Sequence, residues 1–575
     1  MKKISMKELG DKIRLVALRF TFPVFFISGL SVLFFIQINQ KDADIQERLW
    51  VFFGLAIPMS IAVSLFSEEF KNKLLRAGVN LIGIALLAVY VFTLPDKLFE
   101  FQYYRIFTFG TVFVLSSFVV SYFRKENDLP FWEFSKTTIL QLIIAFIFSQ
   151  ILMMGLSLAI LSLDKLFNIN ISEKVYGNLA VVCYALFAPV YFLANVPDET
   201  EKRKQEFEFN KFLKILGLYI LLPILALYTL ILYVYLIQII ALWELPNGWV
   251  TWLVSVLVLG GFLCMMIVYP LRKQQNNVVV ILSRYFPVIL LPLLILMTVG
   301  IFRRFDDYGL TINRAYVFLL NLWLYGICIY LFLSQSKHLK WIVISFSLIA
   351  FLSAVGPWSI YNITKRNLYN TVETLLGENN YLKNGKIISK NQITTIKTDK
   401  KVKELLSAKV DYIVENFGAE AIQPLFSEDV NDLNRFGILD RMCLDTNIQY
   451  SNGRKYYNIQ QNNEIQSIDI QSFSRMFLLE LQHREFKLND RVYNVTLEDE
   501  VIMVSNIQTN KTYINISLKE KLAELTIKED LQELPQDKLI IVKDNYKLII
   551  ESINAQKRNN DALEITDFKA ILLIK

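Results

Sequence analysis

Residues 212–241 have the sequence FLKILGLYILLPILALYTLILYVYLIQIIA, and no charged side chain occurs between Lys214 and Glu244. A helix needs about 20 apolar residues to cross the ~30 Å hydrocarbon core of a membrane. This run is longer than that, so a helix formed here can tilt in the bilayer or project from it. The stretch therefore predicts a transmembrane helix, and the same pattern recurs along the first 360 residues.

Ten more apolar runs resemble this one, and together they predict an α-helical polytopic membrane bundle over residues 1–360. The predicted spans are 20–38, 50–66, 74–94, 104–123, 132–162, 175–195, 212–241, 249–270, 283–302, 315–334 and 340–358. Hydrophobic residues make up 54% of the chain, against about 45–50% in soluble proteins. The first run is too long for the apolar part of a signal peptide, so we expect it to be a membrane helix.

The placement of Lys and Arg predicts a cytoplasmic N-terminus. Loops on the N-terminal side of the bundle hold 22 of these residues, and the opposite loops hold nine. Cytoplasmic loops of membrane proteins carry the excess of positive charge. With about 11 helices, an odd number, residues 361–575 are expected outside the cytoplasm, and one helix more or fewer would reverse that side.

Residues 361–575 are predicted to form a soluble α+β domain, because charged and polar residues become regular after Lys365. Apolar residues at helical spacing predict helices at 364–377 and 399–416, the second with Thr398 or Asp399 as N-cap. A further amphipathic helix is predicted at 517–526. Short apolar runs separated by turns such as Asn452-Gly453 predict strands. These runs lie at 455–459, 476–481, 491–497, 501–505, 512–516, 538–542, 546–553 and 568–574.

The sequence lacks the residues that several kinds of catalytic, cofactor and metal site require. The two histidines, His338 and His483, lie outside the predicted spans, which excludes an intramembrane Ser–His pair, a bis-His haem and an HExxH zinc site. No GxG pair occurs, so no dinucleotide fingerprint or phosphate loop is present. The four cysteines form no CxxC pair. We expect no metal, no cofactor and, without a basic stripe, no nucleic-acid partner.

Two short segments resemble catalytic motifs but lack the rest of the machinery. Glu68-Glu69 resembles the paired glutamates of an intramembrane protease class that also needs membrane histidines, so we expect a solvated loop. Residues 155–159 (GLSLA) resemble a nucleophile elbow, but they lie in a helical run without a strand–turn–helix context. We expect them to form a small-residue packing face.

Polar and helix-breaking residues inside the spans are few. The neutral polar groups are expected to form hydrogen bonds between helices; they are Asn80, Gln141, Gln150, Gln238 and Asn321. Prolines inside spans predict either kinks or broken helices whose free backbone groups could bind a substrate. These prolines are Pro23, Pro58, Pro189, Pro223, Pro287 and Pro292.

The densest group of chemical side chains lies in 303–316 (RRFDDYGLTINRAY), interpreted as a loop before the tenth helix. Tyr308-Gly309 predicts a turn, and Thr311 predicts an N-cap. Arg304 and Arg314 could pair with the aspartates or with a lipid phosphate. The candidate ligand-binding residues are Arg303, Arg304, Asp306, Asp307, Tyr308, Thr311 and Arg314.

Residues 308–311 (YGLT) with Arg314 and Tyr316, then 322–324 (LWL) and 356–358 (GPW), resemble a family of polytopic bacterial membrane proteins, domain of unknown function 4153. Residues 189–193 with Pro197, 222–223 with three tyrosines, and 246–249 (PNGW) agree with the resemblance. Ile312 and the spacing of Arg314 and Tyr316 depart from the family motif. The resemblance covers the first helix through the strand-rich tail, and it implies a bacterial inner-membrane location but no activity.

These observations predict a permease-like or channel-like protein that binds or moves a small molecule or a lipid. The alternative is an envelope sensor, scaffold or assembly factor whose C-terminal domain binds a protein partner. Membrane lipids are expected partners under either hypothesis. A lipid-modifying transferase that uses Asp306, Asp307 and the arginines is a third, enzymatic hypothesis, although we expect no enzyme.

Overall fold

The structure is a computed structural model of the chain. It describes residues 14–40, 45–95, 98–123, 128–167, 169, 171–198, 211–242, 249–273, 277–388, 390–393, 399–431, 433, 435–444, 455–461, 473, 475–480, 485–488, 491–498, 501–506, 512–518, 532–534, 539–543, 546–557 and 563–574. The chain divides into two compact units, Met1–Leu368 and Tyr369–Lys575.

The first unit is a bundle of apolar helices. Within its described part, ten helices are long and apolar enough to cross a membrane, which confirms the predicted polytopic architecture. They are α1 (Thr21–Asn39), α2 (Glu47–Ser67), α3 (Lys73–Phe92), α4 (Glu100–Val119), α5 (Leu129–Phe167), α6 (Glu173–Ala194), α7 (Lys211–Leu242), α8 (Trp249–Lys273), α9 (Asn277–Tyr308) and α10 (Ile312–Leu333). A shorter apolar helix, α11 (Lys340–Ala354), follows.

Helix α11 runs from one end of the bundle to the other, although its 15 residues rise only about 22 Å. At its start, the Lys340 amide donates a hydrogen bond of 3.1 Å to Asp128, just before α5. Beyond its end, the Tyr361 hydroxyl lies 2.5 Å from the hydroxyl of Tyr316, near the start of α10. We call these two ends the Lys340 end and the Tyr361 end. The chain thus makes an eleventh pass along the bundle.

Helices α6 and α7 are continuous, so the alternative of broken helices is wrong for these spans. A π-helical segment, Val181–Phe187, precedes Pro189, and another, Leu216–Leu221, precedes Pro223. Proline lacks an N–H and its ring collides with the carbonyl four residues earlier. The wider π turn absorbs that collision while the helix continues. Pro58 lies inside α2, and Pro287 and Pro292 lie inside α9.

The helices of the bundle pack through small residues. A Cβ added to Gly261 of α8 would lie 2.0 Å from the Phe286 ring of α9, so these helices approach at a contact that only glycine allows. Cys183, Cys264 and Cys328 are buried and unpaired by disulfides, as expected for packing residues. The segment 155–159 is helical, but a Cβ on Gly155 would meet nothing within 4 Å. Its predicted packing role is therefore not fulfilled at that glycine.

The second unit combines short helices and two larger sheets, which confirms the predicted α+β class. Helix α12 (Ile360–Glu378) leads into it and is followed by α13 (Lys390–Ile393), α14 (Lys400–Phe417) and α15 (Arg435–Arg441). A two-stranded hairpin, β1 (Leu382–Lys383) and β2 (Lys386–Ile387), lies between α12 and α13. The Asp399 carboxylate caps α14 by accepting a hydrogen bond from the Lys401 amide, as predicted.

Ten further strands lie in the described part of this unit. They are β3 (Lys455–Gln461), β4 (Arg475–Glu480), β5 (Glu485–Leu488), β6 (Arg491–Glu498), β7 (Val501–Asn506), β8 (Thr512–Ser517), β9 (Gln532–Leu534), β10 (Ile540–Lys543), β11 (Tyr546–Lys557) and β12 (Leu563–Ile574). Strands β5 to β8 form an antiparallel meander. The order β4-β12-β11-β3-β9, with β10 also paired to β11, gives a six-stranded sheet. The predicted turn at 452–453 and most of the predicted helix at 517–526 lie outside the described residues.

Candidate functional site

Three hydroxyl groups form a chain at the Tyr361 end of the bundle. The Tyr316 hydroxyl lies 3.1 Å from that of Thr108 on α4 and 2.5 Å from that of Tyr361 on α12. Burial, reinforced by the hydrogen bond with Tyr316, raises the pKa of Tyr361 above its usual value. The phenol therefore stays protonated at physiological pH, and the chain offers hydrogen-bond donors rather than negative charge.

Arg105 lies against this hydroxyl chain. Its guanidinium carbon is 5.0 Å from the centre of the Tyr361 ring and 5.1 Å from that of Phe101, both within cation–π range. Among the described residues, no carboxylate pairs with Arg105, and its buried Nε has no hydrogen-bond partner. A guanidinium held by ring faces keeps its donors available for an anion, because rings cannot accept in the guanidinium plane.

Two further buried hydroxyls near this cluster lack partners in the part of the chain that the structure describes. They belong to Tyr90 on α3 and to Thr364, one turn beyond Tyr361 on the same face of α12. The ring of Tyr90 lies 5.0 Å from that of Phe109, which is one turn beyond Arg105 on α4. A buried polar group without a partner is costly, so such groups mark places where a ligand or water can bind. We define the cluster of Tyr90, Arg105, Thr108, Tyr316, Tyr361 and Thr364 as the Arg105 site.

The turn between α11 and α12 positions Tyr361. Gly356 has a φ of +77°, a left-handed conformation that favours glycine. Its carbonyl accepts hydrogen bonds from the Ser359 amide and the Asn362 side-chain amide, which start α12. The sequence had marked this turn only through the GPW segment at 356–358. The ring of Tyr361 is 1% exposed, so the turn fixes a buried tyrosine.

The predicted loop site lies at the same end, but its structure differs from the prediction. Helix α9 continues to Tyr308, so Arg303 and Arg304 are exposed helical residues rather than loop residues. The turn at Gly309 is confirmed by its φ of +77°. Thr311 is the N-cap residue of α10, but its side chain forms no capping hydrogen bond. The reason for the longer helix is that nothing in 303–308 breaks it before the glycine.

Arg314 turns back on this loop, since its Nη1 donates a hydrogen bond of 2.8 Å to the Gly309 carbonyl. The side chains of Asp306, Asp307 and Tyr308 lie outside the described part of the structure, and so do the predicted pairs with these aspartates. Ligand binding by the seven predicted residues stays a prediction. Tyr316, two residues beyond Arg314, links that segment to the Arg105 site.

Comparison with known proteins identifies a family that covers more than half of the chain. A family model described as domain of unknown function (DUF4153) matches residues 24–422. The chain belongs to this family. The DUF4153 match includes every residue of the Arg105 site. It ends before β3, so the predicted resemblance of the strand-rich tail is not supported by the family model.

The chain also resembles an uncharacterized bacterial protein. The chain is 26% identical over 376 residues to an uncharacterized protein of Pasteurella multocida (strain Pm70). The aligned part is 64% of this chain and 61% of the relative. No solved structure matches the chain.

The Lys340 end holds buried charges that the sequence did not reveal. Lys340 Nζ lies 3.6 Å from Asp128 Oδ1, and the two side chains are 5% and 1% exposed. Glu68, predicted to be solvated, pairs with Arg19 at 2.8 Å and is 12% exposed. Arg19 also donates to the carbonyls of Val196 and Pro197, beyond α6. These contacts join neighbouring helices, so they fit a structural role.

Neutral polar groups inside the bundle bind one another, as predicted for three of the five. Asn80 accepts a hydrogen bond from Ser64 at 3.2 Å, Gln150 accepts one from Tyr184 at 2.9 Å, and Asn321 donates to Thr298 at 2.8 Å. The described residues contain no group of three His, Cys, Asp or Glu side chains that could hold a metal. Within that part, the Arg105 site is the arrangement that combines an available cation with unpaired hydroxyls.

Proposed function

We propose that the protein is a permease-like membrane protein that binds an anionic group, a phosphate or a carboxylate, at the Arg105 site. The observation that carries the proposal is a partly buried guanidinium that lies against the rings of Tyr361 and Phe101 and that pairs with no carboxylate among the described residues. An arginine in such a place is ready to form charge-assisted hydrogen bonds with an anion. The hydroxyls of Tyr90 and Thr364 can add neutral donors.

The position of the site supports a role in binding a small molecule or a lipid headgroup. It lies where α4, α10 and α12 begin and where α3 ends, at one end of the membrane-spanning bundle. Headgroup phosphates and soluble anions both reach that depth. The neighbouring arginines 303, 304 and 314 extend the positive charge at the same end of the bundle, and we retain them as candidate ligands with Asp306, Asp307, Tyr308 and Thr311.

The location belongs to the proposal as well. The bias of Lys and Arg, 22 against nine, supports a multi-pass protein of a bacterial inner membrane with a cytoplasmic N-terminus. The Lys340 end then faces the cytoplasm, and the Arg105 site faces outward. Membrane lipids surround the bundle, and no nucleic acid is proposed as a partner.

The test compares two anion sources on the full-length protein in detergent micelles. Inorganic phosphate and short-chain phosphatidylglycerol are titrated separately into wild type, Arg105→Gln and Arg284→Gln, with calorimetric detection. Arg284 is a matched control, because it also lies over a tyrosine ring, that of Tyr285 at 5.7 Å, but near the Lys340 end. We expect Arg105→Gln to weaken binding about tenfold or more.

The outcomes separate the sources. Binding of phosphatidylglycerol alone identifies a lipid headgroup, and binding of phosphate as well identifies a soluble anion. The proposal fails if neither probe binds wild type, or if Arg105→Gln and Arg284→Gln weaken binding equally. Thermal unfolding of each variant checks that the fold is intact.

A second candidate function, a scaffold or sensor, is supported by the sheet of the second unit. Strand β4 lies at one end of the described six-stranded sheet and exposes Met476 by 56% and Leu478 by 69%. Alternate apolar residues on an end strand are typical of a surface that binds another chain. Under this hypothesis, the double variant Met476→Ser, Leu478→Ser loses crosslinks to envelope proteins while binding of anions is unchanged.

A further inference from the structure

A groove of about 610 Å³ lies between α2 and α4, on a different face of α4 from the Arg105 site. Its walls include Trp50, Gly54 and Pro58 from α2, and Phe107, Thr111 and Val114 from α4. Arg105 lies two positions from both Phe107 and Tyr103, which places it on the opposite side of the helix. Sites for small ligands have volumes of about 300–1,000 Å³, and this groove falls in that range.

The groove is apolar and open toward the surroundings of the bundle. It starts in the first turn of α2 and reaches Pro58, near the middle of that helix. Both walls belong to helices that are long and apolar enough to cross a membrane. A groove at that depth faces the hydrocarbon layer, so an acyl chain matches its chemistry.

A carboxylate stands at the end of the groove where both helices begin. Glu47 lies one turn before Trp50 on α2, and Tyr103 lies one turn before Phe107 on α4, so both are on the groove face. Glu47 Oε2 accepts hydrogen bonds from the Leu98 amide at 3.2 Å and from the Tyr103 hydroxyl at 3.4 Å. In the described part of the chain, no Lys or Arg forms an ion pair with Glu47, and its second oxygen, Oε1, has no hydrogen-bond partner there.

We propose that this groove binds a phospholipid with a primary-amine headgroup, phosphatidylethanolamine, with one acyl chain in the groove and the ammonium at Glu47. An ammonium group carries three donors and a positive charge, which complement Oε1 of a carboxylate fixed on its other oxygen. The quaternary amine of phosphatidylcholine has the same charge but no N–H. The N–H donors, which can bond to the charged carboxylate, therefore predict a preference for the primary amine.

The proposal is tested with dioleoyl-phosphatidylethanolamine and dioleoyl-phosphatidylcholine, which share their acyl chains. Each lipid is added to the full-length, delipidated protein, and native mass spectrometry counts bound lipid. We expect wild type to bind the ethanolamine lipid about tenfold more tightly. Glu47→Gln keeps an oxygen for Leu98 and Tyr103 but removes the charge, so it should bind the two lipids equally.

Variants that fill the groove test whether an acyl chain binds there. A Cβ added to Gly54 meets nothing within 4 Å. Because Gly54 lines the groove, Gly54→Leu should fill it and lose the lipid that binds there, whichever headgroup that lipid carries. Gly326 on α10 is equally open, which makes Gly326→Leu a matched control that should bind like wild type. Thr111→Leu on the opposite wall provides a second filling variant if Gly54→Leu folds poorly.

Two results would overturn the inference: equal affinity of wild type for the two lipids, or unchanged lipid binding by both filling variants. The inference stands apart from the proposed anion site. Arg105→Gln should leave the preference for the ethanolamine lipid unchanged, so failure at one site is distinguishable from failure at the other.

Discussion

Asp128 and Lys340 are 212 residues apart in sequence and form a buried ion pair at one end of the bundle, with Lys340 Nζ 3.6 Å from Asp128 Oδ1. The backbone amide of Lys340 also donates a hydrogen bond of 3.1 Å to Asp128 Oδ2. The carboxylate precedes α5, and the lysine begins α11. Through this pair the start of the eleventh helix is attached to the start of α5.

Replacing Lys340 with Met should destabilise the protein by about 3–5 kcal/mol, because it leaves the buried Asp128 carboxylate without the lysine and with only His338 Nδ1, at 3.6 Å, beside it. The double variant Asp128→Asn, Lys340→Met should recover most of this loss, since the amide oxygen can still accept from the residue 340 amide. Thermal unfolding of the detergent-solubilised protein measures both. A double variant no more stable than Lys340→Met would show that burial of charge is not the cause.

Tyr316→Phe should lower the free energy of unfolding by about 1–3 kcal/mol, because it removes a hydrogen-bond partner of the buried Tyr361 hydroxyl. Tyr361 is 1% exposed and cannot exchange that partner for bulk water. Tyr219→Phe is the control, since Tyr219 is 69% exposed and its loss should have little effect. Equal thermal midpoints for the two variants would mean that the hydroxyl chain does not contribute to stability.

Gly356→Ala should destabilise the turn before α12 by about 1–2 kcal/mol, the cost of a left-handed conformation for a residue with a Cβ. The added carbon would also lie 3.0 Å from the Trp358 ring. Gly326→Ala should have the opposite sign, stabilising by about 0.5–1 kcal/mol, because Gly326 is helical and unobstructed. Opposite shifts of the two unfolding midpoints are expected, and shifts of the same sign would contradict the assignment.

The membrane spans could be predicted from the sequence because hydropathy and length are local properties, and ten long apolar helices appear where expected. The family resemblance likewise pointed to Tyr316, although it gave no partner for it. The turn between α9 and α10 could be predicted from Gly309, because glycine adopts left-handed conformations more readily than other residues. Strands of the second unit followed their alternating apolar runs in the same way.

Arg105 and Asp128 could not be recognised as special from the sequence. Arg105 looked like one of nine basic residues on the outer side, and its surroundings, in which no described carboxylate pairs with it, depend on how α4, α10 and α12 meet. Asp128 lies between two predicted spans, and it is buried because the start of α11, at Lys340, packs against it. Continuity through Pro189 and Pro223 was equally hidden, because a π turn depends on how the surrounding helix adjusts.

Asp411→Asn should make the second unit more stable at neutral pH than wild type. Burial raises the pKa of Asp411, and the nearby Arg435, at 3.6 Å, offsets this only in part. A carboxyl group whose pKa is higher in the folded than in the unfolded state contributes stability below about pH 3.9, and this contribution is lost as pH rises through the folded value.

The difference in thermal unfolding midpoint between Asp411→Asn and wild type should therefore grow between pH 4 and pH 7. Circular dichroism of the full-length protein follows this transition. Glu428→Gln is the control, because Glu428 is 78% exposed in its pair with Arg441 and should give a small difference that does not change with pH. A constant difference for Asp411→Asn would contradict the predicted direction.

The eleven passes that the described residues make along the bundle predict that the two ends of the chain lie on opposite sides of the membrane. An alkaline phosphatase fused after Lys575 should be active, whereas a fusion after Lys273, between α8 and α9, should be silent yet stably expressed. Helix α11 decides the outcome, since its 15 residues are fewer than the about 20 that a span needs. Its contacts with Asp128 at one end and the Tyr316–Tyr361 pair beyond the other require the pass. The prediction fails if the phosphatase fusion after Lys575 is stable but silent and a green fluorescent protein fused at the same position is fluorescent. That result would mean that α11 returns to the side of the membrane from which it entered.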